Sequence, residues 1–134
     1  MSTAFANINW LSVTLAAVSA FLLGGIWYGP VFGKAWMIEF GFTEEDLKKR
    51  NPGKTFGISL ILSFIAALNL EMFIGADADI AFGGMAGFMA GLGWVAALLG
   101  IIYLFEMRSL KAFIINGGYC ILALTLMGII LGAM

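Results

Sequence analysis

Glu71 is the side chain in this sequence best placed to do chemistry, because it is the ionisable residue that lies well inside a long apolar segment. An acid at membrane depth is costly and is a functional-site candidate by default. Asn9 is expected at a similar depth, and Asp77 and Asp79 follow in the next short loop. These groups predict a small negative field that would attract a proton, a cation or a protonated amine. The alternative is that Glu71 only reaches the interface or accepts a hydrogen bond from a neighbouring helix.

Several other kinds of site are excluded by residue type. The chain has no histidine and one cysteine, Cys120, so it cannot form an intrachain disulfide or assemble the usual zinc, copper, haem or iron–sulfur ligand sets. Gly53-Lys54-Thr55 resembles the end of a phosphate-binding loop, but Lys48 stands where that motif needs a glycine. We therefore expect no catalytic residues, no metal and no cofactor, and a protein that is not an enzyme.

The composition is that of a membrane protein. Of 134 residues, 62% are hydrophobic and 11% are charged, and the mean hydropathy is +1.02. Soluble domains average about 45–50% apolar and about 25% charged residues. The net charge of −1 gives no basic character for a polyanionic partner, so no nucleic-acid partner is expected.

Four apolar windows predict four transmembrane helices in a single membrane domain, residues 1–134. A helix needs about 20 residues to cross a bilayer, and this length is reached at residues 8–28, 55–74, 80–105 and 112–134. The predicted fold class is therefore all-α, a four-transmembrane-helix bundle. Residues 1–7 carry no Lys or Arg, so the first span is expected to stay rather than be cleaved as a signal peptide.

The basic residues predict the orientation. All seven lie in two of the loops, as Lys34, Lys48, Lys49, Arg50, Lys54, Arg108 and Lys111. By the positive-inside rule these loops face the cytoplasm. Both termini are then extracytoplasmic, and we expect a multi-pass protein of the cytoplasmic membrane.

The loop 29–54 is long enough for structure of its own. Thr43 is predicted to cap a short helix with acids in its first turn. Each acid has a base four residues later, as Glu44/Lys48, Glu45/Lys49 and Asp46/Arg50. This segment is either a lipid-binding or docking helix or a solvated connector.

Small residues recur along one face of the third span, with spacings of three and four, at Gly83, Ala86, Ala90, Gly93, Ala97 and Gly100, and Gly87 and Gly91 widen that face. A second small-residue face in the first span includes Gly24. Such faces let membrane helices approach closely. They predict either packing within one chain or a homo-oligomer.

Polar and aromatic side chains cluster where the spans end at the basic side. Trp27, Tyr28, Trp36 and Tyr103 are typical of an aromatic belt at the membrane interface, and Lys34 would anchor beside them. Asn116 is expected to make a helix–helix hydrogen bond.

A string of residues near the first span resembles a known family signature. It comprises Asn9-Trp10, Gly24, Trp27-Tyr28-Gly29-Pro30, Phe32-Gly33-Lys34 and Trp36-Met37. It resembles the domain-of-unknown-function 1761 family of small bacterial integral membrane proteins. The resemblance implies a membrane protein without an assigned activity, and it transfers no catalytic residues.

Two functions remain open. One is a non-enzymatic component that binds or transports a small solute or cation, with Glu71 as the key group. The other is a structural or accessory subunit that packs against itself or a partner membrane protein.

Overall fold

A computed structural model describes residues 8–75 and 77–134. This part of the chain is helical and contains no strand. Four helices are long and apolar enough to span a membrane, namely Trp10–Val31, Pro52–Ile74, Ile80–Phe105 and Leu110–Ala133. The predicted all-α architecture with four spans is confirmed.

In the described residues the four spans contain five α-helices and two short π-helices, and the loop after the first span carries two more α-helices. The first span is α1 (Trp10–Ile26) followed by a π-helix (Trp27–Val31). The loop carries α2 (Gly33–Phe40) and α3 (Glu44–Lys49), and the second span is α4 (Pro52–Ile74). The third span comprises α5 (Ile80–Ala90), a π-helix (Gly91–Ala96) and α6 (Ala97–Phe105), and the fourth is α7 (Leu110–Ala133).

Polar caps set where each span begins. The side chains of Asn9, Asn51, Asp79 and Ser109 each accept a hydrogen bond from a backbone N–H in the first turn. These bonds satisfy donors that have no partner inside the helix. The second and fourth spans therefore begin at Pro52 and Leu110, two or three residues before the apolar windows that predicted them.

The predicted cap of α3 is confirmed, whereas the predicted ion pairs along it are not formed. Thr43 and Asp46 make a reciprocal capping box, with Thr43 N–H donating to Asp46 Oδ2 over 2.9 Å. The backbone N–H of Thr43, and then its side chain, hold the pKa of the Asp46 carboxyl below its ordinary value. The box therefore persists at neutral pH and is lost only as pH falls through that lowered pKa. Among the described residues the one ion pair is Arg108–Glu106, at 2.8 Å.

The bundle is closed at one end only. At the Glu71 end, where Asn9 Nδ2 donates to Met134 O over 3.4 Å, α1, α4 and α7 share an apolar core. Its buried members are Val13, Ala16, Ala17, Ala20, Ala67, Leu70, Ile74, Ala123, Met127 and Leu131. In α4 every buried residue lies between Ala67 and Ile74, and none lies between Pro52 and Leu62. At the opposite, basic end the first half of α4 is therefore loosely packed, and its Phe56 ring lies 6.2 Å from the Phe21 ring of α1.

Glycines bring α5 into backbone contact with α7. A Cβ atom on Gly83 would overlap the carbonyl oxygen of Gly128, and one on Gly87 would overlap that of Leu124. Gly91 is also in close contact, since its Cβ would be 2.8 Å from Ile121 Cα. Close backbone approach of this kind is a main source of helix association in lipid.

The face that packs on α7 differs from the predicted series of small residues. Gly83, Gly87 and Gly91 are buried at a spacing of four, and the next buried residue is Ala96. Ala86 and Ala90 are half-buried, whereas Gly93 and Ala97 are exposed. The π-helix at Gly91–Ala96 adds one residue to its turn, which rotates the later positions away from the face on which the earlier ones lie.

Candidate binding cavity and buried carboxylate

Glu71 lies one turn before the end of α4 and is 6% exposed. The backbone N–H of Asn9 lies beside its carboxylate. Its Oε2 atom is buried without a hydrogen-bond partner in the described part of the chain. A buried polar atom left in this state carries the cost of its desolvation.

Apart from the Asn9 backbone N–H beside Glu71 and the Asn9 amide that donates to Met134 O, the polar groups at the start of α1 bond within the helix. Asn9 Oδ1 accepts from Ser12 N over 3.1 Å, and Ser12 Oγ donates to Asn9 O over 2.9 Å. The Ser12 side chain is fully buried. The Glu71 carboxylate therefore meets an apolar core with little polar compensation.

The other predicted companions of Glu71 are not assembled around it. Asp79 caps α5 by accepting from Phe82 N over 2.8 Å, and Asp77 is exposed in the preceding turn. No group of three potential metal ligands occurs within residues 8–75 and 77–134. Of the four residues predicted to form a cation site, the structure brings Asn9 to Glu71.

A cavity of about 1100 Å³ occupies the basic end of the bundle. It lies beside the loosely packed first half of α4, whose Thr55, Phe56 and Ser59 line it without being buried. Its walls come from all four spans, and Trp36, Leu47 and Arg50 from the loop helices complete its rim. The cavity volume is slightly above the range of about 300–1,000 Å³ that is usual for small-molecule sites.

A hydrogen-bond network joins three spans at the wall of this cavity. Tyr28 Oη donates to Asn116 Oδ1 over 2.6 Å, and Asn116 Nδ2 donates to the Tyr103 hydroxyl. Tyr103 is 9% exposed. The predicted helix–helix role of Asn116 is confirmed. The network was not foreseen, although its three residues lie at the same expected depth on three spans.

Two further hydrogen bonds fasten α1 to α7 beside the network. Trp27 Nε1 donates to Ile115 O over 2.8 Å, and Tyr119 Oη donates to Ala20 O over 3.0 Å. Tyr119 also lies against Gly24, where a Cβ atom would be 3.3 Å from its hydroxyl. Gly24 thus leaves room for the tyrosine ring between the helices.

Arg50 is the one charged side chain lining the cavity in the described part of the chain. Its guanidinium lies 5.6 Å from the centroid of the Phe56 ring. The remaining lining groups are hydroxyl, amide, thiol, aromatic and aliphatic. Such a site can recognise a ligand by its shape, by hydrogen bonds and by one positive charge at the rim.

Residues 11–132 match the model of a family described as a protein of unknown function, DUF1761. The chain belongs to the DUF1761 family. Comparison with curated proteins found no match, and comparison with solved structures found none either. The match extends over all four spans, so the cavity and Glu71 both lie inside the DUF1761 region.

The residues predicted to anchor this DUF1761 chain at the membrane interface differ in their exposure and in their hydrogen bonds. Lys34 is exposed, in keeping with an anchor. Trp36 is half-buried, with its ring centroid 5.6 Å from that of Tyr28. The polar atoms of Trp27 and Tyr28 bond to α7. These two side chains therefore join helices, and their expected place in an interface belt stays a prediction.

Asn116→Leu is expected to destabilise the bundle by about 1–3 kcal/mol, because it leaves two buried tyrosine hydroxyls without their amide partner. Asn69→Leu is the matched control, since Asn69 is exposed on α4 and bonds to Ile65 O in its own helix. Thermal unfolding in a fixed detergent measures both variants. Equal stability of the two variants would contradict a cross-helix role for Asn116.

Proposed function

We propose that the protein is a non-enzymatic membrane component that binds a small solute in the cavity and takes part in its transport. The observation that carries this proposal is the cavity itself, which opens at the basic end while the other end is closed by packed helices. A bundle closed at one end and hollow at the other can hold a solute that is accessible from one side.

Glu71 supplies the second part of the proposal, which is uptake of a proton or cation during transport. Its carboxylate is buried in the closed end and keeps one oxygen without a hydrogen-bond partner in the described structure. Intramembrane acids of this kind mark proton and ion pathways. Ser63 lines the cavity on the same helix two turns away, so the cavity extends toward Glu71 along α4.

We place the protein in the bacterial inner membrane with both termini outside the cytoplasm. All seven basic residues lie at the end of the bundle opposite Glu71, which supports this orientation. A reporter fused to the C-terminus and active only outside the cytoplasm tests the orientation. Activity of a cytoplasmic reporter at the same position would contradict it.

A structural or accessory role is the second candidate, and one observation favours it. Gly93 and Ala97 are exposed on the third span, and nothing lies within 4 Å of a Cβ atom built on Gly93. Small residues on an outward face suit close contact with another membrane helix, in a homo-oligomer or with a partner protein. Native mass measured from lipid nanodiscs tests self-association, and a monomeric mass would contradict the homo-oligomer.

Filling the cavity tests the solute-binding proposal. Gly25 lines the cavity and faces open space, so Gly25→Phe would occupy it without a backbone clash. Gly57→Phe is the matched control, because Gly57 also faces open space but does not line the cavity. Native mass spectrometry from nanodiscs should detect a small molecule retained by the natural protein and by Gly57→Phe, and lost from Gly25→Phe.

Retention of the same small molecule by both phenylalanine variants would place it outside the cavity and contradict the proposal. A natural protein that retains no small molecule would contradict it as well. In either case the accessory role becomes the better account.

A further inference from the structure

We propose that the cavity binds a single-chain amphiphile with an anionic head, held at Arg50, and with its apolar chain in the cavity. This inference rests on the proposed solute-binding function and names the chemical class of the solute. It is carried by the distribution of charge and hydrogen-bond donors around the cavity.

Arg50 is available to an anion at the rim. It lies directly after α3, is exposed and forms no ion pair within residues 8–75 and 77–134. The acid four residues before it, Asp46, is committed to the capping box with Thr43. The guanidinium lies near the Phe56 ring, and its planar fork suits the carboxylate or phosphate head of a ligand.

The interior of the cavity is poorly suited to a charged head. The Tyr28 hydroxyl donates a hydrogen bond to Asn116 Oδ1, and the Tyr119 hydroxyl donates one to Ala20 O. The hydroxyls of Ser59 and Ser63 donate to carbonyl groups of their own helix. Tyr103, whose hydroxyl accepts from Asn116, and Thr55 keep neutral hydroxyl donors. No interior lining group in the described structure is a cation, so burying an uncompensated anion there would be costly.

The rest of the lining suits an apolar chain. The walls are formed largely by aromatic and aliphatic side chains, including Phe21, Leu22, Ile26, Phe56 and Leu99. Several of them are also exposed on the outside of the bundle, Leu22 by 58% and Ile26 by 55%. Since these side chains both line the cavity and face the outside of the bundle, we infer that an apolar chain can enter from the bilayer beside them, with its head near the depth of Arg50.

Bromine quenching of tryptophan fluorescence tests this inference on the full-length protein in detergent. Trp10 and Trp94 are exposed on the bundle surface, so both are changed to phenylalanine, which leaves Trp27 and Trp36 near the cavity. The probes are dibromostearate and its uncharged methyl ester, which have the same chain. We expect the acid to quench at an about tenfold lower concentration than the ester, as one charge-assisted contact would give.

Arg50→Gln should remove the difference between the acid and the ester. Lys49→Gln is the matched control, because it removes a neighbouring charge that does not line the cavity, and it should keep the difference. Equal quenching by acid and ester in the protein with Arg50 would overturn the anionic head while leaving the cavity as a binding site. Quenching by neither probe would overturn this inference. The proposed function is tested separately by native mass spectrometry, and it would fail if Gly25→Phe retained the small molecule. A preference for a brominated two-chain phospholipid over the acid would overturn the single-chain assignment.

Discussion

Gly87→Ala is expected to lower the free energy of unfolding by about 1–3 kcal/mol or more, the usual cost of overfilling a packed contact. The added methyl group would overlap the carbonyl oxygen of Leu124 in α7. That atom belongs to a helix backbone and cannot move aside like the end of a side chain. Either α5 and α7 must separate, or the nearby contact between Gly83 and Gly128 must loosen. Reversible unfolding in bicelles or mixed micelles measures the loss.

Gly93→Ala is the matched control for Gly87→Ala. It makes the same chemical change in the same span, but nothing lies within 4 Å of the added atom. Since alanine is favoured over glycine in a helix by up to about 1 kcal/mol, this variant should be as stable as the natural protein or slightly more stable. Equal losses for the two variants would contradict the assignment of the Gly83, Gly87 and Gly91 face as the contact with α7.

Glu71→Leu is expected to raise the stability of the bundle by about 1–3 kcal/mol, because it removes a buried oxygen, Oε2, that has no partner within residues 8–75 and 77–134. The residue is surrounded by the apolar core of α1, α4 and α7, where a leucine of similar size fits. Thermal unfolding measures the gain. A clear loss of stability would show that the carboxylate has a structural partner, and would support the accessory role.

Glu71→Gln separates function from stability at the same site. The amide keeps the size of the side chain but cannot exchange a proton with the solvent or neutralise a cation. In proteoliposomes with an internal pH-sensitive dye, the variant should remain folded and lose the proton movement that accompanies transport. Asp77→Asn, which changes an exposed acid at the same end, should keep it. Unchanged proton movement in Glu71→Gln would contradict the proposed role of Glu71.

Much of the architecture follows from local properties of the sequence. Apolar length predicts the four spans because the bilayer sets how many residues must be buried. Short polar side chains such as Asn51 and Asp79 determine where spans begin, because they satisfy the first backbone donors of a helix. The separation of the seven basic residues from Glu71 is likewise a property of the sequence and needs no tertiary contact.

The details of the candidate site depend on tertiary contacts. The helical period predicted that Gly93 and Ala97 lie on the same face as Gly83, but the π-helix at Gly91–Ala96 rotates that face midway along the span. Tyr28 has the residue type of an interface anchor, and its hydrogen bond to Asn116 exists only because α7 lies opposite.

The sequence by itself determined that this is a membrane protein with four spans, that polar residues cap its helices and that its basic residues lie in two loops. It also determined that one acid, Glu71, lies within an apolar segment. Only the tertiary structure decided that the buried residues of α4 all lie in its second half. This arrangement buries Glu71 at one end of the bundle and leaves a cavity at the other. The physical reason is that length, polarity and capping act within one segment. Burial, helix separation and cavity volume depend on which side chains of other segments fill the same space, and no single segment encodes that.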